Sequence, residues 1–228
     1  MLDDIIDDMN SEKIESPLND NRWDVLAKES FQKSNKRNHL SQDEMCSRIK
    51  EQIDLYKDTI QPFVDKVEDN VCKELILKYE DGEMPLWAID QGFLHQLESA
   101  LNLKNKLDLW HDNDPNKDAG AYYQPGKNAI IINSDPKEKV DDPLDFIEEL
   151  SALAHEVFHT YQYEQQLYGD EESADRYKRL FEEYNPKDHI SYCNTPVELE
   201  AYCFQDLIGR KLLDNMHDLG RNLDLRIK

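Results

Sequence analysis

The distribution of glycine constrains the fold of this chain more than any other feature of its sequence. The 228 residues include seven glycines, of which the first is Gly82. Before Gly82 the only prolines are Pro17 and Pro62. Tight turns between strands depend on residues of this kind. Residues 1–81 are therefore helical or disordered, and they do not form a sheet of short hairpins.

The N-terminal part divides into an acidic segment and a segment with helical periodicity. Residues 1–20 contain seven acids and one lysine, and we expect residues 1–40 to be mobile or weakly helical. Residues 41–82 carry an apolar stripe that predicts one helix or two, with a bend or break at Pro62. We expect this accessory region to pack as a scaffold, the alternatives being a docking arm for a protein partner and an inhibitory segment. The stripe consists of Ile49, Ile53, Tyr56, Ile60, Phe63, Val67, Val71 and Leu75.

A DGEMP turn at residues 81–85 marks the predicted start of the main domain, residues 83–228. The following PLWAI sequence could form a short strand, with Asp90 as the cap of a helix. Within residues 121–133 two β-prone runs flank a Pro-Gly-Lys-Asn connection, which predicts a hairpin with a β-branched second arm.

Three helices are predicted after the hairpin. The first begins at Pro143 and ends before Gly169. The second covers Glu171–Tyr184, and the third begins at Pro196, behind a cap at residue 194 or 195. The predicted fold class is α+β, mainly helical, with a small β-sheet.

The formal net charge of −22 excludes nucleic-acid binding, which requires a basic face. The same charge disfavours anionic membrane surfaces, and no apolar run reaches the length of a membrane span. The N-terminus MLDDIIDDMN does not resemble a secretory signal. The four cysteines are widely spaced and include no CxxC pair. We therefore expect a cytoplasmic protein with reduced thiols.

Residues 155–159 read His-Glu-Val-Phe-His and fall inside the helix predicted from Pro143. His155 and His159 are four residues apart, so their rings can converge on one ion. Glu156 lies about 100° further round the helix, where it can reach a water on that ion without ligating it. Two neutral imidazoles suit Zn²⁺. The alternative is a pair of histidines on the helix surface or in the core, with no metal.

A third metal ligand is expected from the helix that begins at Pro196, which offers Glu198 and Glu200. Both glutamates flank the apolar stripe of that helix, on opposite sides. The helical pattern therefore does not choose between them. The stripe consists of Val197, Ala201, Phe204 and Ile208.

The sequence LAHEVFHTYQ at 153–162, followed by PVELEAY at 196–202, resembles the gluzincin type of zincin metallopeptidases. The resemblance covers residues 119–216. In that group a helical H-E-x-x-H is completed by a glutamate on a following helix, often within E-x-x-A. The resemblance implies Glu198 as the third ligand beside the two histidines, and one Zn²⁺ per chain. Tyr202 departs from the pattern, because an Asp, Glu or Asn is common there as the partner of the first histidine.

The resemblance also implies a zincin-like minimal catalytic domain and its mechanism. Zn²⁺ would activate a water and polarise the scissile carbonyl, with Glu156 as general base and then general acid. A further donor has to stabilise the oxyanion. We favour His189 or Tyr192, because their loop leads into the helix of the third ligand, and Tyr161 and Tyr163 are the alternatives.

The hairpin stands where zincins usually carry an edge strand that pairs with an extended substrate. An edge strand offers free N–H and C=O groups to a peptide. Tyr123, Ala129, Ile130 and Ile131 are therefore the predicted substrate-binding residues. The alternative is an ordinary core strand.

Two functional hypotheses follow. The first is a zinc metallopeptidase acting on a peptide or protein substrate, and the second is a zincin-like regulatory module acting on a protein partner through its N-terminal helices. Glu156 favours the enzyme, since a module that only held metal would not need a general base. Tyr202 and the unassigned oxyanion donor favour the module. Peptide deformylase is disfavoured, because no cysteine ligand lies between Cys72 and Cys193.

Overall fold

The computed structural model describes residues 50–112, 120–134, 143–182 and 195–220. The described part is mainly helical with a small sheet, which confirms the predicted α+β class. Its helices are α1 (Lys57–Val64), α2 (Asp69–Glu80), α3 (Leu86–Leu101), α4 (Pro143–Tyr168), α5 (Glu171–Glu182) and α6 (Pro196–Asp218). Its strands are β1 (Asp108–His111), β2 (Ala121–Gln124) and β3 (Ala129–Ile132). The predicted acidic segment 1–40 and residues 41–49 lie outside the described residues.

The accessory region forms two helices, α1 and α2, as its apolar stripe allows. Pro62 lies inside α1, and the helix continues for two residues beyond it. The break therefore falls between Val64 and Asp69 rather than at the proline. After α2, Gly82 has a φ of 69°, which is the left-handed backbone that the predicted turn requires.

The expected strand at residues 85–89 and the expected cap at Asp90 are both wrong. Residues 86–89 open α3, and the residue before that helix is Pro85. Asp90 lies inside α3 with its side chain buried. The physical reason is that Leu86, Ile89 and Phe93 follow helical spacing and all three are buried on one face.

The predicted hairpin is confirmed, and it belongs to a three-stranded sheet in the order β1-β3-β2. β3 pairs in parallel with β1 and antiparallel with β2. The turn between β2 and β3 closes through Asn128, whose φ is 49°. All four residues of β3 are buried.

The position of β3 corrects part of the substrate-binding prediction. Ala129, Ile130 and Ile131 lie on the central strand, which is paired on both sides. Their backbone groups are therefore not available to a peptide. These residues form an ordinary core strand, which was the alternative to a substrate-binding edge. Tyr123 lies on β2, an edge strand of the described sheet.

The boundaries of α4 and α6 follow the sequence signals. α4 begins at Pro143 and extends over about 39 Å. It ends before Gly169, where a Cβ would lie 2.5 Å from the carbonyl oxygen of Gln165. α6 begins at Pro196, and the Thr195 hydroxyl accepts a hydrogen bond from the backbone N–H of Glu198. These two long helices pack against each other.

One continuous apolar core joins α1, α2, α3, the sheet, α4 and α6. The ring of Phe158 on α4 lies 6.3 Å from that of Phe63 on α1 and 5.0 Å from that of Phe204 on α6. The core therefore continues across the predicted domain boundary at residue 83, and the division of the chain at that residue stays a prediction. Among the described helices, none has the length and apolar character that crossing a membrane requires.

Candidate metal centre

Three side chains from α4 and α6 converge on one point. The Nε2 atoms of His155 and His159 are 3.0 Å apart. An Oε atom of Glu198 lies 3.3 Å from Nε2 of His155, and the other lies 3.4 Å from Nε2 of His159. The two histidines lie one helical turn apart on α4, and Glu198 lies in the first turn of α6. The packing of these helices brings the three donors together.

The spacing of these donors fits a zinc ion. A tetrahedral zinc with ligands at 2.0–2.1 Å holds any two ligand atoms about 3.3 Å apart. The two Nε2 atoms are 3.0 Å apart, and each histidine faces a different oxygen of Glu198, at 3.3 Å and 3.4 Å, so each pair of side chains approaches at close to that separation. The side chain of Glu198 is 2% exposed and that of His155 is 8% exposed. Two imidazoles and one carboxylate would leave the fourth position of a tetrahedral zinc open.

Electrostatics couple the glutamate to the histidines. Burial disfavours the charge of Glu198, but hydrogen bonds to His155 and His159 hold the pKa of Glu198 below its usual range. Burial also disfavours the charged form of His159, yet the hydrogen bond and the charge of Glu198 outweigh it and raise the pKa of His159 to about 9. The centre therefore has a negative charge that attracts a proton or a cation.

Glu156 lies beside the three donors without joining them. Its Oε2 atom accepts a hydrogen bond of 2.7 Å from the backbone N–H of Tyr123 on β2. Burial raises the pKa of Glu156, although the neighbouring histidines and the Tyr123 N–H act in the opposite direction. A carboxylate with a raised pKa, held next to a metal centre, suits a general base.

A glutamine sets the protonation of His159. Oε1 of Gln162 lies 2.9 Å from Nδ1 of His159, while Nε2 of Gln162 donates to the carbonyl of Val197 and to Glu200. The amide orientation is therefore defined, and its oxygen has to accept a proton from Nδ1 of His159. Nε2 is therefore the nitrogen of His159 that faces the centre, and it can ligate a metal ion that displaces its proton.

Glu200 is buried in a neighbouring cluster, which Gln162 connects to His159. Its carboxylate pairs with Arg176 and accepts a hydrogen bond of 3.1 Å from the hydroxyl of Tyr177, both on α5. The structure therefore brings Glu198, and not Glu200, to the two histidines. The helical pattern left this choice open, and the resemblance to gluzincins indicated the same residue.

Sequence reasoning missed the roles of Gln162 and Tyr202. Gln162 follows His159 by three residues on α4, so helical spacing was a signal for it. The ring of Tyr202 packs against that of His155, with 4.5 Å between the ring centres. Tyr202 thus lies beside the first histidine, at the position where the resemblance to gluzincins led us to expect an Asp, Glu or Asn.

The structure describes two of the four candidate oxyanion donors. His189 and Tyr192 lie outside the described residues. Tyr161 packs among aromatic rings of the core, including that of Phe63 at 4.9 Å. Tyr163 packs edge-on against Tyr123, with 6.3 Å between ring centres.

Comparison with known proteins found no matching family model, and no curated protein or solved structure that matches the chain. The geometry of the metal centre is therefore the basis for a functional conclusion.

Proposed function

We propose that this protein is a zinc-dependent peptidase with a zincin-like catalytic domain, in which His155, His159 and Glu198 bind one Zn²⁺. The observation that carries the proposal is the convergence of these three donors at zinc-like separations, with Glu156 next to them. Zinc bound there would lower the pKa of a water to about 7 and polarise a carbonyl. The free thiols of Cys72 and Cys203 favour a reducing compartment such as the cytoplasm.

Glu156 supplies the general base in this proposal. Its hydrogen bond from the Tyr123 N–H fixes the orientation of the carboxylate. The raised pKa of Glu156 matches a group that takes a proton from the attacking water and returns it to the leaving amine.

The proposed substrate is an extended peptide that lies along β2. The backbone N–H of Tyr123 points toward α4 and reaches Glu156, so this side of β2 faces the metal centre. A peptide on this side would present its carbonyl to the centre and pair with neighbouring backbone groups of the strand.

A regulatory or binding module is the second candidate. It is favoured by His155, whose buried Nδ1 atom has no hydrogen-bond partner among the described residues. An orienting partner on this nitrogen is usual for a metal-binding histidine.

Elemental analysis of purified full-length variants tests the metal centre. We expect His155→Ala and Glu198→Ala each to contain one zinc equivalent less than the parent. Glu200→Gln is the matched control, because Glu200 lies two residues away on the same helix and does not contact the histidines, and its amide oxygen can still accept from Tyr177 and Gln162. Unchanged zinc content in the first two variants would refute the proposed ligand set.

Activity is tested with a peptide library read by mass spectrometry. We expect Glu156→Gln to keep its zinc and to cleave roughly 10²–10⁴-fold more slowly than the parent, because it lacks a general base. A zinc-loaded parent that cleaves no peptide would instead support the binding module.

A further inference from the structure

A second group of metal-ligating side chains lies away from the first centre. It consists of Asp90 on α3, His111 on β1 and Glu149 on α4. One ligand atom from each residue lies within 4.8 Å of the others. Oδ2 of Asp90 is 3.5 Å from Nε2 of His111. Three elements that are distant in sequence thus bring two carboxyl groups and an imidazole together.

Asp90 is fully buried, His111 and Glu149 are partly buried, and the group is incompletely satisfied. The Asp90 side chain is 0% exposed and that of His111 is 9% exposed. Neither carboxylate oxygen of Asp90, nor Nε2 of His111, has a hydrogen-bond partner within the described ranges. Burying such atoms without compensation is unfavourable, so a proton or a cation is needed there.

The hydrogen bonds around Ser134 define which nitrogen of His111 carries its proton. The hydroxyl of Ser134 donates to Oε1 of Glu149 at 3.0 Å. A hydroxyl has only one proton, so at 3.4 Å from Nδ1 of His111 it has to accept. The Nδ1 atom of His111 is therefore protonated, and its Nε2 lone pair faces the carboxylate of Asp90. Two acceptors that face each other require a proton or a cation between them.

Burial and the neighbouring Glu149 carboxyl raise the pKa of Asp90 well above its usual value, so the group holds a proton when no cation is bound. The group has no ligand in common with the first centre. Glu149 precedes Glu156 by seven residues, which places the two sites about 10 Å apart along α4.

We propose that Asp90, His111 and Glu149 bind a second divalent metal ion, with a structural role in joining α3, β1 and α4. One imidazole and two carboxylates suit Mn²⁺, Fe²⁺ or Zn²⁺ rather than Mg²⁺ or Ca²⁺. This site does not depend on the proposed peptidase activity. It ties the sheet to the helix that carries His155, His159 and Glu156.

Metal stoichiometry in the full-length protein tests this second site. Chelator-treated parent, Asp90→Asn, His155→Ala and the double variant are loaded with Zn²⁺, desalted and analysed for zinc. We expect two equivalents in the parent, one in each single variant and none in the double variant. Asp90→Asn should fold, because a neutral amide replaces a buried carboxyl of the same shape.

Comparing the zinc content of the four proteins tests each site independently of the other. If Asp90→Asn keeps the zinc content of the parent, the second site is refuted and Asp90 and Glu149 share a proton instead. If Asp90→Asn loses one equivalent while His155→Ala loses none, the second site stands and the first is refuted.

Thermal unfolding provides a readout that does not depend on desalting. In the His155→Ala background, adding Mn²⁺ or Zn²⁺ should raise the melting temperature by several degrees, since the ion binds only the folded state. The shift should disappear in His155→Ala/Asp90→Asn and persist in His155→Ala/Asp108→Asn, which changes an exposed acid of β1. A shift that survives Asp90→Asn, or no shift in the His155→Ala background, would overturn the second site.

Discussion

Glu198 and Glu200 show how two identical residues of one helix acquire different environments. Glu198 faces two imidazoles of α4, whereas Glu200 faces a guanidinium and a phenol of α5. Both side chains are buried. A buried carboxylate needs compensating partners, and here each carboxylate has its own set. The difference arises from which neighbouring helix each side chain meets.

Gln162 should act as a positioning residue for the metal centre. We expect Gln162→Leu to weaken zinc binding roughly 10–100-fold, because Nδ1 of His159 loses the acceptor that defines its protonation. Zinc affinity is measured by competition with a chelating dye, at a temperature where both proteins are folded. Gln166→Ala on the same helix is the control, and equal affinities of Gln162→Leu and the parent would contradict this role.

The cysteines within the described residues should be unreactive in the native protein. Burial is the main cause that raises the pKa values of Cys72 and Cys203 to about 12. At pH 8 both thiols are therefore protonated, and the thiolate is the reactive form. We expect iodoacetamide to leave both unlabelled in native protein and to label both after denaturation, as read by peptide mapping. Rapid native labelling of Cys203 would contradict its burial in the core.

At the scale of elements, α5 depends on polar contacts more than on apolar ones. Tyr177 is its buried residue in the described structure. Its hydroxyl and Arg176 both bind Glu200 on α6, and Gln162 on α4 binds the same carboxylate. This cluster of Gln162, Arg176, Tyr177 and Glu200 links α5 to the two helices that carry the metal ligands.

Removing the guanidinium from this cluster should loosen α5. We expect Arg176→Ala to reduce the free energy of unfolding by about 1–3 kcal/mol, because a buried carboxylate loses its positive partner while keeping two hydrogen bonds. Hydrogen exchange should increase in residues 171–182. Arg179→Ala is the control, since Arg179 is exposed and bonds a carbonyl of its own helix. Similar exchange in both variants would argue against the proposed anchoring role.

At the scale of the whole molecule, one core joins the accessory helices to the helices that carry His155, His159 and Glu198. Ile60 and Val64 of α1 and Ile76 of α2 are almost fully buried in it. Phe158, between the two ligand histidines in sequence, packs against rings from α1 and α6. The core beneath His155 and His159 therefore includes residues from both sides of position 83.

Limited proteolysis tests this arrangement. We expect residues 57–80 to resist cleavage in the native protein, because their apolar faces are buried in the shared core. Cleavage sites are identified by mass spectrometry. Free cutting throughout residues 41–80, with the rest of the chain intact, would show that the accessory helices do not pack on it.

Truncation of Phe158 should destabilise the whole molecule. We expect Phe158→Ala to lower the free energy of unfolding by about 3–5 kcal/mol, because it opens a cavity where α1, α4 and α6 meet. Urea unfolding is followed by far-ultraviolet circular dichroism and by tryptophan fluorescence. Leu167→Ala, at an exposed position of α4, is the control. Equal stability of the two variants would contradict the central position of Phe158.

The sequence by itself determined the local features of this protein. Pro143, Gly169, Thr195 and Pro196 defined helix ends, and the spacing of His155 and His159 placed two imidazoles on one helix face. These features act over a few residues, through backbone geometry and side-chain periodicity, so they can be read directly from the chain.

The tertiary structure decided everything that depends on which elements become neighbours. It separated Glu198 from Glu200, placed β3 in the centre of the sheet, and buried Asp90 beside His111. The helical pattern of α6 does not distinguish Glu198 from Glu200. A β-branched run of residues is compatible with an edge strand or with a central strand of a sheet. Only the packing of distant segments breaks these equivalences, because it determines which charges, donors and acceptors each side chain meets.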